Sequence, residues 1–214
     1  MIGDKLVIKN KHRGAAEQIV DRILPQIRSS RRIYTITIAG ESGSGKSETG
    51  QAVADVLNGR GYKTVVFQQD DYFIHPPKTN DRARRRDILW VGMGEVRLDL
   101  LDEHLMQARS GVETIVKPLV VYEEDRITEE SVSLRGVAAL LAEGTYTTAL
   151  ANVDTRVFID LIYRETLQSR LERAREAQDD FLEKVLEIEH RIISAHKSRA
   201  DFIVDKDYQV VAGS

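Results

Sequence analysis

The sequence predicts a doubly wound α/β domain: a mostly parallel sheet covered by helices on both faces. Three observations point there. Short β-branched, apolar runs alternate with longer segments of helical periodicity, the pattern of strands joined by crossover helices. The run ending at Ala39 breaks into a bend of glycines and serines that opens directly into a helix-like segment. The length of 214 residues suits one ordinary domain with a full core.

Taken in order, Leu6 to Lys9 reads as a short β-like piece and Asn10 as a helix cap. The helix after it repeats apolar residues at Ala16, Ile19, Val20, Ile23, Leu24 and Ile27. Strands are predicted at Ile33 to Ala39, Thr64 to Gln68, Thr114 to Lys117, Val137 to Ala142, Arg156 to Asp160 and Phe202 to Val204. Helical patterns separate most of them, so the strands are expected to run parallel with both faces covered. Pro76-Pro77 marks a loop, and Pro118 ends or edges a strand. Late in the chain, Phe181, Leu182, Val185, Leu186, Ile188, Ile192 and Ile193 form a stripe at helical spacing, read as core or helix-pair packing rather than a cofactor box.

Composition narrows the chemistry. A formal net charge of -3 argues against a protein that coats nucleic acid or an anionic membrane, so any phosphate site must be local. The absence of cysteine removes disulfides, thiolate metal sites and a cysteine nucleophile. His12, His104, His190 and His196 show no mutual metal-ligand spacing. The first residues lack the apolar core of a signal peptide, and no apolar stretch reaches the roughly 18 residues that span a bilayer, so a cytoplasmic location is expected.

The bend itself carries the most specific signal. Gly40-Glu41-Ser42-Gly43-Ser44-Gly45-Lys46-Ser47 satisfies G-x-x-x-x-G-K-[ST] between a strand and a helix, where a phosphate-cradling loop must sit. Glycines let successive amides converge on phosphate oxygens, helped by the positive end of the following helix, where Glu48 also falls. Lys46 is placed to reach the β and γ phosphates of a nucleotide triphosphate, and the Ser47 hydroxyl to ligate Mg²⁺. Asp70-Asp71 closes the next strand at the ligand-facing edge, where a carboxylate can take the proton of an acceptor hydroxyl. Glu143 ends the apolar run Val137 to Ala142, the position of an acid that supports the metal or its waters. No Asn-Lys-x-Asp guanine-reading segment and no Leu-Ser-Gly-Gly transporter signature occurs, which favours a small-molecule kinase.

Together the segments GESGSGKS, QDDYF, LDLLDEHL, KPLVVYEEDR, LLAEGTY and the arginine-bearing helix after VFID resemble the uridine kinase and phosphoribulokinase group of P-loop kinases. The resemblance covers roughly residues 33 to 205. It implies a P-loop NTPase three-layer sandwich with a helical lid, in a single kinase domain over 1–214. Residues 1–32 would form an N-terminal strand and helix, with the lid and a long helix within about 162–199. It implies ATP and Mg²⁺ as cofactors and a hydroxyl of a small metabolite as acceptor. By the same resemblance, Asp70 is the catalytic aspartate, and Tyr72 and Phe73 are an aromatic pair lining the acceptor pocket. Tyr122 matches a tyrosine that, in nucleoside-phosphorylating members, packs on the base, and Glu143 matches the acidic residue near magnesium; Arg126, just after Tyr122, is taken as a further candidate acceptor contact. Arg170 and Arg173 are the best candidates for lid arginines that close on the phosphates, with Arg164 and Arg175 as neighbours.

Departures from the pattern bear on the acceptor. Uridine-phosphorylating members carry an Asp-His-Pro turn where this chain reads Trp90-Val91-Gly92-Met93-Gly94-Glu95, and a histidine after the Tyr122 equivalent where it reads Glu123-Glu124-Asp125. Both losses remove groups that read a pyrimidine nucleoside. Arg82, Arg84, Arg85 and Arg86 could clamp an anion or form an end-healing kinase's nucleic-acid groove, but such a run is more often a solvated helix face answered by nearby acids. His75 reads as a loop histidine near the acceptor. A uridine or cytidine kinase proper and a nucleotide-binding switch without an acceptor remain alternatives. The expected partner is a small molecule; nucleic acid and membrane are disfavoured, and assembly into a homo-oligomer is left open.

Overall fold

The computed structural model describes residues 1–3, 6–173 and 179–213, with the side chains of 169, 172 and 173 outside that set. Helix α1 (Asn10–Ser29) leads into β1 (Tyr34–Gly40), α2 (Lys46–Gly59) and β2 (Thr64–Gln68). A short 3₁₀ turn, Gln69–Tyr72, then precedes α3 (Pro77–Arg86) and α4 (Leu98–Arg109). Strands β3 (Thr114–Val121), β4 (Arg126–Ser133), β5 (Ala139–Glu143) and β6 (Thr155–Ile159) follow. The chain continues through α5 (Leu167–Arg173), α6 (Asp180–Ser194), β7 (Phe202–Val204) and β8 (Val210–Ala212).

Six strands form one sheet in the order β2-β5-β1-β6-β7-β8, parallel except for β8, which pairs antiparallel with β7. Every residue of β1 and β5 is buried, as expected of central strands covered on both faces. One core layer packs Ile19, Ile23, Val53 and Leu57 of the first two helices against Ile36, Ile38 and Leu141. The opposite layer gathers Phe67, Tyr72, Leu101, Leu105, Leu140 and Phe158. This is the predicted doubly wound α/β arrangement.

Four local readings change. Residues 6–9 pair with no strand; Lys9 caps α1, Asn10 is its first helical residue, and the His12 ring accepts the Lys9 amide at 3.1 Å. Thr114 to Lys117 is not part of the main sheet. It extends to Val121 and forms a separate antiparallel ribbon with β4, pairing Val121 with Arg126 and Thr114 with Ser133. Pro118 sits inside β3 without disruption, because each strand of a two-stranded ribbon has a free edge. Pro76-Pro77 starts a helix rather than marking a loop, with Pro77 at the first turn, where its missing amide goes unused.

Candidate active site

The strand order builds the site. Because β5 lies between β2 and β1, its last residue Glu143 aligns with Gln68 on one side and Ile38 on the other. The turn carrying Asp70, the Glu143 carboxylate and the loop after β1 therefore meet along one carboxyl edge, where open α/β sheets place ligands.

The loop from Gly40 to Ser47 is held in a shape that glycine alone accommodates. Gly43 and Gly45 have φ of 76° and 86°. A Cβ on Gly43 would lie 2.8 Å from Arg170 Cγ, and one on Gly45 would lie 2.6 Å from the Tyr208 hydroxyl. The Tyr208 hydroxyl donates to the Ser44 carbonyl at 2.7 Å, bracing the loop from beneath. Glu41 anchors its other side: buried, it accepts the Tyr163 amide at 2.6 Å and lies 2.6 Å from His190 Nδ1 on α6. Nothing in the motif pattern pointed to this bracing, since the residues at its variable positions follow no rule.

Lys46, the first residue of α2, is only 7% exposed and makes no ion pair among the described residues. A buried ammonium without a counter-charge at a helix N-terminus is costly unless an anion completes it. Beside it the Ser47 hydroxyl donates to Glu143 Oε2 at 3.0 Å, and both groups are buried. No cluster of three or more acids or histidines that could hold a metal occurs among the described residues. Magnesium fits such a pair all the same: it takes oxygen ligands at one or two protein groups and fills the rest of its shell with phosphate oxygens and water.

Lys46 and Asp70 both line a cavity of about 450 Å³, as do Ser42, Gly43 and Arg170. Arg170 is buried. Its guanidinium donates to the Tyr163 carbonyl and, at 2.9 Å, to Thr166 Oγ1, while Nε has no hydrogen-bond partner among the described residues. Thr166 in turn donates to the Ser42 carbonyl at 2.7 Å, tying the start of α5 to the phosphate loop. Arg164 is exposed against the Tyr163 hydroxyl; the Arg173 side chain and all of Arg175 lie outside the described residues.

At the acceptor end, Phe73, Tyr122 and His75 line the cavity, His75 with its ring 5.4 Å from that of Trp90. Tyr72 does not line it. Its ring is fully buried and its hydroxyl meets His104 Nδ1 at 2.9 Å, so of the Tyr72-Phe73 pair only Phe73 faces the cavity. Burial is the main reason the Tyr72 hydroxyl resists ionisation, and it holds His104 below the ordinary imidazole range. Arg126 is also elsewhere: at the start of β4 it pairs with Glu124 at 2.8 Å, exposed and away from the cavity. Asp71 turns inward, 1% exposed, with Lys117 Nζ at 2.7 Å, the Val120 amide at 2.9 Å and the Met1 amino group at 3.0 Å. This contact docks the β3–β4 ribbon, and with it Tyr122, onto the turn that bears Asp70.

The apolar stripe on α6 splits. Phe181, Leu182, Val185 and Leu186 line the cavity, while Ile193 packs in the core. The first four were read from sequence as packing alone, because helical periodicity cannot tell a core from a cavity wall. Arg82, Arg84 and Arg85 of α3 face the same space and are paired with acids, and Arg84 is only 12% exposed, so the run is not the purely solvated helix face that the sequence favours.

The family model of the phosphoribulokinase / uridine kinase family matches residues 35–207. This chain belongs to that family. It is 30% identical over 189 residues, 82% of its length, to the bifunctional alpha-galactosidase/sucrose kinase AgaSK of Mediterraneibacter gnavus, and it spans 20% of that relative. In fold it is similar to a "Possible Uridine Kinase" from Bacillus stearothermophilus, with a TM-score of 0.63 at 18% identity, covering 89% of this chain and 97% of the other. D-glycerate 3-kinase from Cryptococcus neoformans var. grubii gives a TM-score of 0.61 at 13% identity, covering 95% and 98%. The family is one of P-loop phosphotransferases that use ATP and Mg²⁺ in general, and the acceptor varies among its members. No helix among the described residues is long and apolar enough to cross a membrane.

Proposed function

We propose that this protein is an ATP- and Mg²⁺-dependent kinase that transfers the γ-phosphoryl group to a hydroxyl of a small metabolite in the cytoplasm. The observation that carries the reading is the buried Lys46 ammonium, without an ion pair among the described residues, facing a cavity that Asp70 also lines. The sucrose kinase name of the AgaSK relative supports a hydroxyl acceptor of the sugar type.

The amides of Gly40 to Ser47, with Glu48 in the first turn of the helix, form the nucleotide cradle, and Lys46 holds the far phosphates. Ser47 and Glu143 would hold the metal. When bound, ATP supplies the phosphoryl group and Mg²⁺ offsets charge on its phosphate oxygens. Asp70 takes the proton as the acceptor oxygen forms its bond to the γ phosphorus and the bond to the β–γ bridging oxygen breaks; the proton then passes to solvent. Arg170, with Arg173 as a second candidate, balances charge on the moving group, and closing α5 over the loop excludes water. Phe73 and Tyr122 contact the acceptor.

Two variants test this. Lys46→Ala should lower kcat by about 10²–10³, the loss seen when one charge-stabilising donor is removed. Asp70→Asn should abolish ADP release driven by an acceptor while leaving ATP binding intact. A switch module would bind ATP and be indifferent to Asp70→Asn, so unchanged turnover in that variant refutes the kinase mechanism. A nucleoside kinase is the second reading, favoured by Tyr122 in the cavity wall.

A further inference from the structure

We propose that the acceptor is an uncharged saccharide, so that this enzyme performs a first phosphorylation and does not act on a sugar phosphate or other anion. The inference rests on the kinase reading and concerns only the end of the cavity away from Lys46.

Charge in this cavity is divided. At the phosphate end, Lys46 has no ion-pair partner among the described residues, and Arg170 has a buried Nε with no hydrogen-bond partner among them and only a long ion pair, 3.9 Å, to the exposed Glu183. At the acceptor end the arginines are already engaged. Arg84 lies 2.6 Å from Glu95 and 3.0 Å from Glu189. Arg85 lies 2.9 Å from Asp81 and 3.0 Å from Asp179, and Arg82 lies 3.3 Å from Asp125. Glu95 is fully buried and also accepts from Asn80 at 2.8 Å and from the Gly92 amide at 3.1 Å. An anion that captured the Arg84 fork would leave that carboxylate without its cation in a dry site, which opposes binding. Asp70 adds a carboxylate to the same wall, where Asp81 and Glu189 are the partners of Arg85 and Arg84.

Interlocked carboxylates and guanidiniums offer fixed donors and acceptors to hydroxyl groups, and the apolar edges of Phe73, Phe181 and Leu182 suit the C–H faces of a sugar ring. A flat base is served less well, because the rings already carry cations. Arg85 lies 4.6 Å from the Phe181 centroid, Arg84 5.9 Å from that of Phe73, and Lys78 5.9 Å from that of Tyr122. A uridine kinase would need an open face for stacking.

The test follows ADP release at saturating ATP and Mg²⁺ with glucose, fructose, sucrose, glucose 6-phosphate, fructose 6-phosphate, glycerate and uridine, alongside a titration of ATP alone. At least one neutral saccharide should exceed every phosphorylated sugar, glycerate and uridine in kcat/KM by 100-fold or more. If ATP binds and the best acceptor is an anion or uridine, or if no saccharide is turned over, the saccharide assignment falls while the nucleotide site stands. If ATP does not bind, the kinase reading itself falls and takes this inference with it. In Glu189→Gln, Arg84 loses one of the acids that answer it, and glucose 6-phosphate should become a measurable competitive inhibitor against the saccharide. Inhibition by the phosphate that is equally strong in the parent protein would overturn the argument from charge compensation.

Discussion

Replacing Lys117 with methionine probes the contact that joins the β3–β4 ribbon to the turn bearing Asp70. Lys117 is 3% exposed, and its ammonium serves Asp71 at 2.7 Å, Glu130 at 2.8 Å and the Pro118 carbonyl at 2.9 Å. Breaking a buried pair by removing one partner costs about 3–5 kcal/mol, because a desolvated charge is left behind. Here Asp71 keeps the Val120 amide and the Met1 amino group, and Glu130 is open enough to water to lose little, so the lower end, about 3 kcal/mol, applies. For a chain of this length that corresponds to roughly 6–12 °C in Tm. Urea or thermal unfolding measures it directly. Because the ribbon carries Tyr122, KM for the acceptor should rise more than KM for ATP. A loss under 1 kcal/mol would show that Asp71 and Lys117 are not held as a dry pair.

Two further outcomes are expected. Gly43→Ala forces a Cβ against Arg170 and Thr166 at a positive φ, so the loop must shift; ATP affinity should drop at least tenfold in a titration, with a stability cost of about 1–3 kcal/mol. His104 and His196 are both held below 6.5, burial being the main cause in each. Above that pH they are neutral in both states. As pH falls below it, the unfolded chain takes up protons that the folded chain resists, so Tm should decline from pH 6.5 downward. His104→Gln should flatten part of that decline, and a slope unchanged by the substitution would exclude His104 as a source.

The parts of the site legible in the sequence are those fixed by backbone conformation or strand position. The loop from Gly40 to Ser47 needs glycines and a lysine whatever surrounds it, and Asp70 and Glu143 stand where strands end. What was hidden depends on long-range packing. β4 reads RITEESVS, a polar strand with no buried face to impose apolar alternation, so nothing marked it as the partner of β3. β8 is three residues long and two of them are exposed. The inward turn of Asp71 depends on Lys117, and a lysine in a strand reads as solvated until its burial is known. The acids answering Arg84 come from sites 11 and 105 residues away, a pairing that local spacing cannot display.

The ring of Tyr208, lodged under Ser44, carries a consequence for the order in which the protein matures. A polypeptide emerging from the ribosome completes the glycine-rich bend early, yet the prop for that bend is made more than 160 residues later. Until the last strand pair docks, the bend lacks its floor. Under the kinase proposal, nucleotide capture would thus report on completed folding.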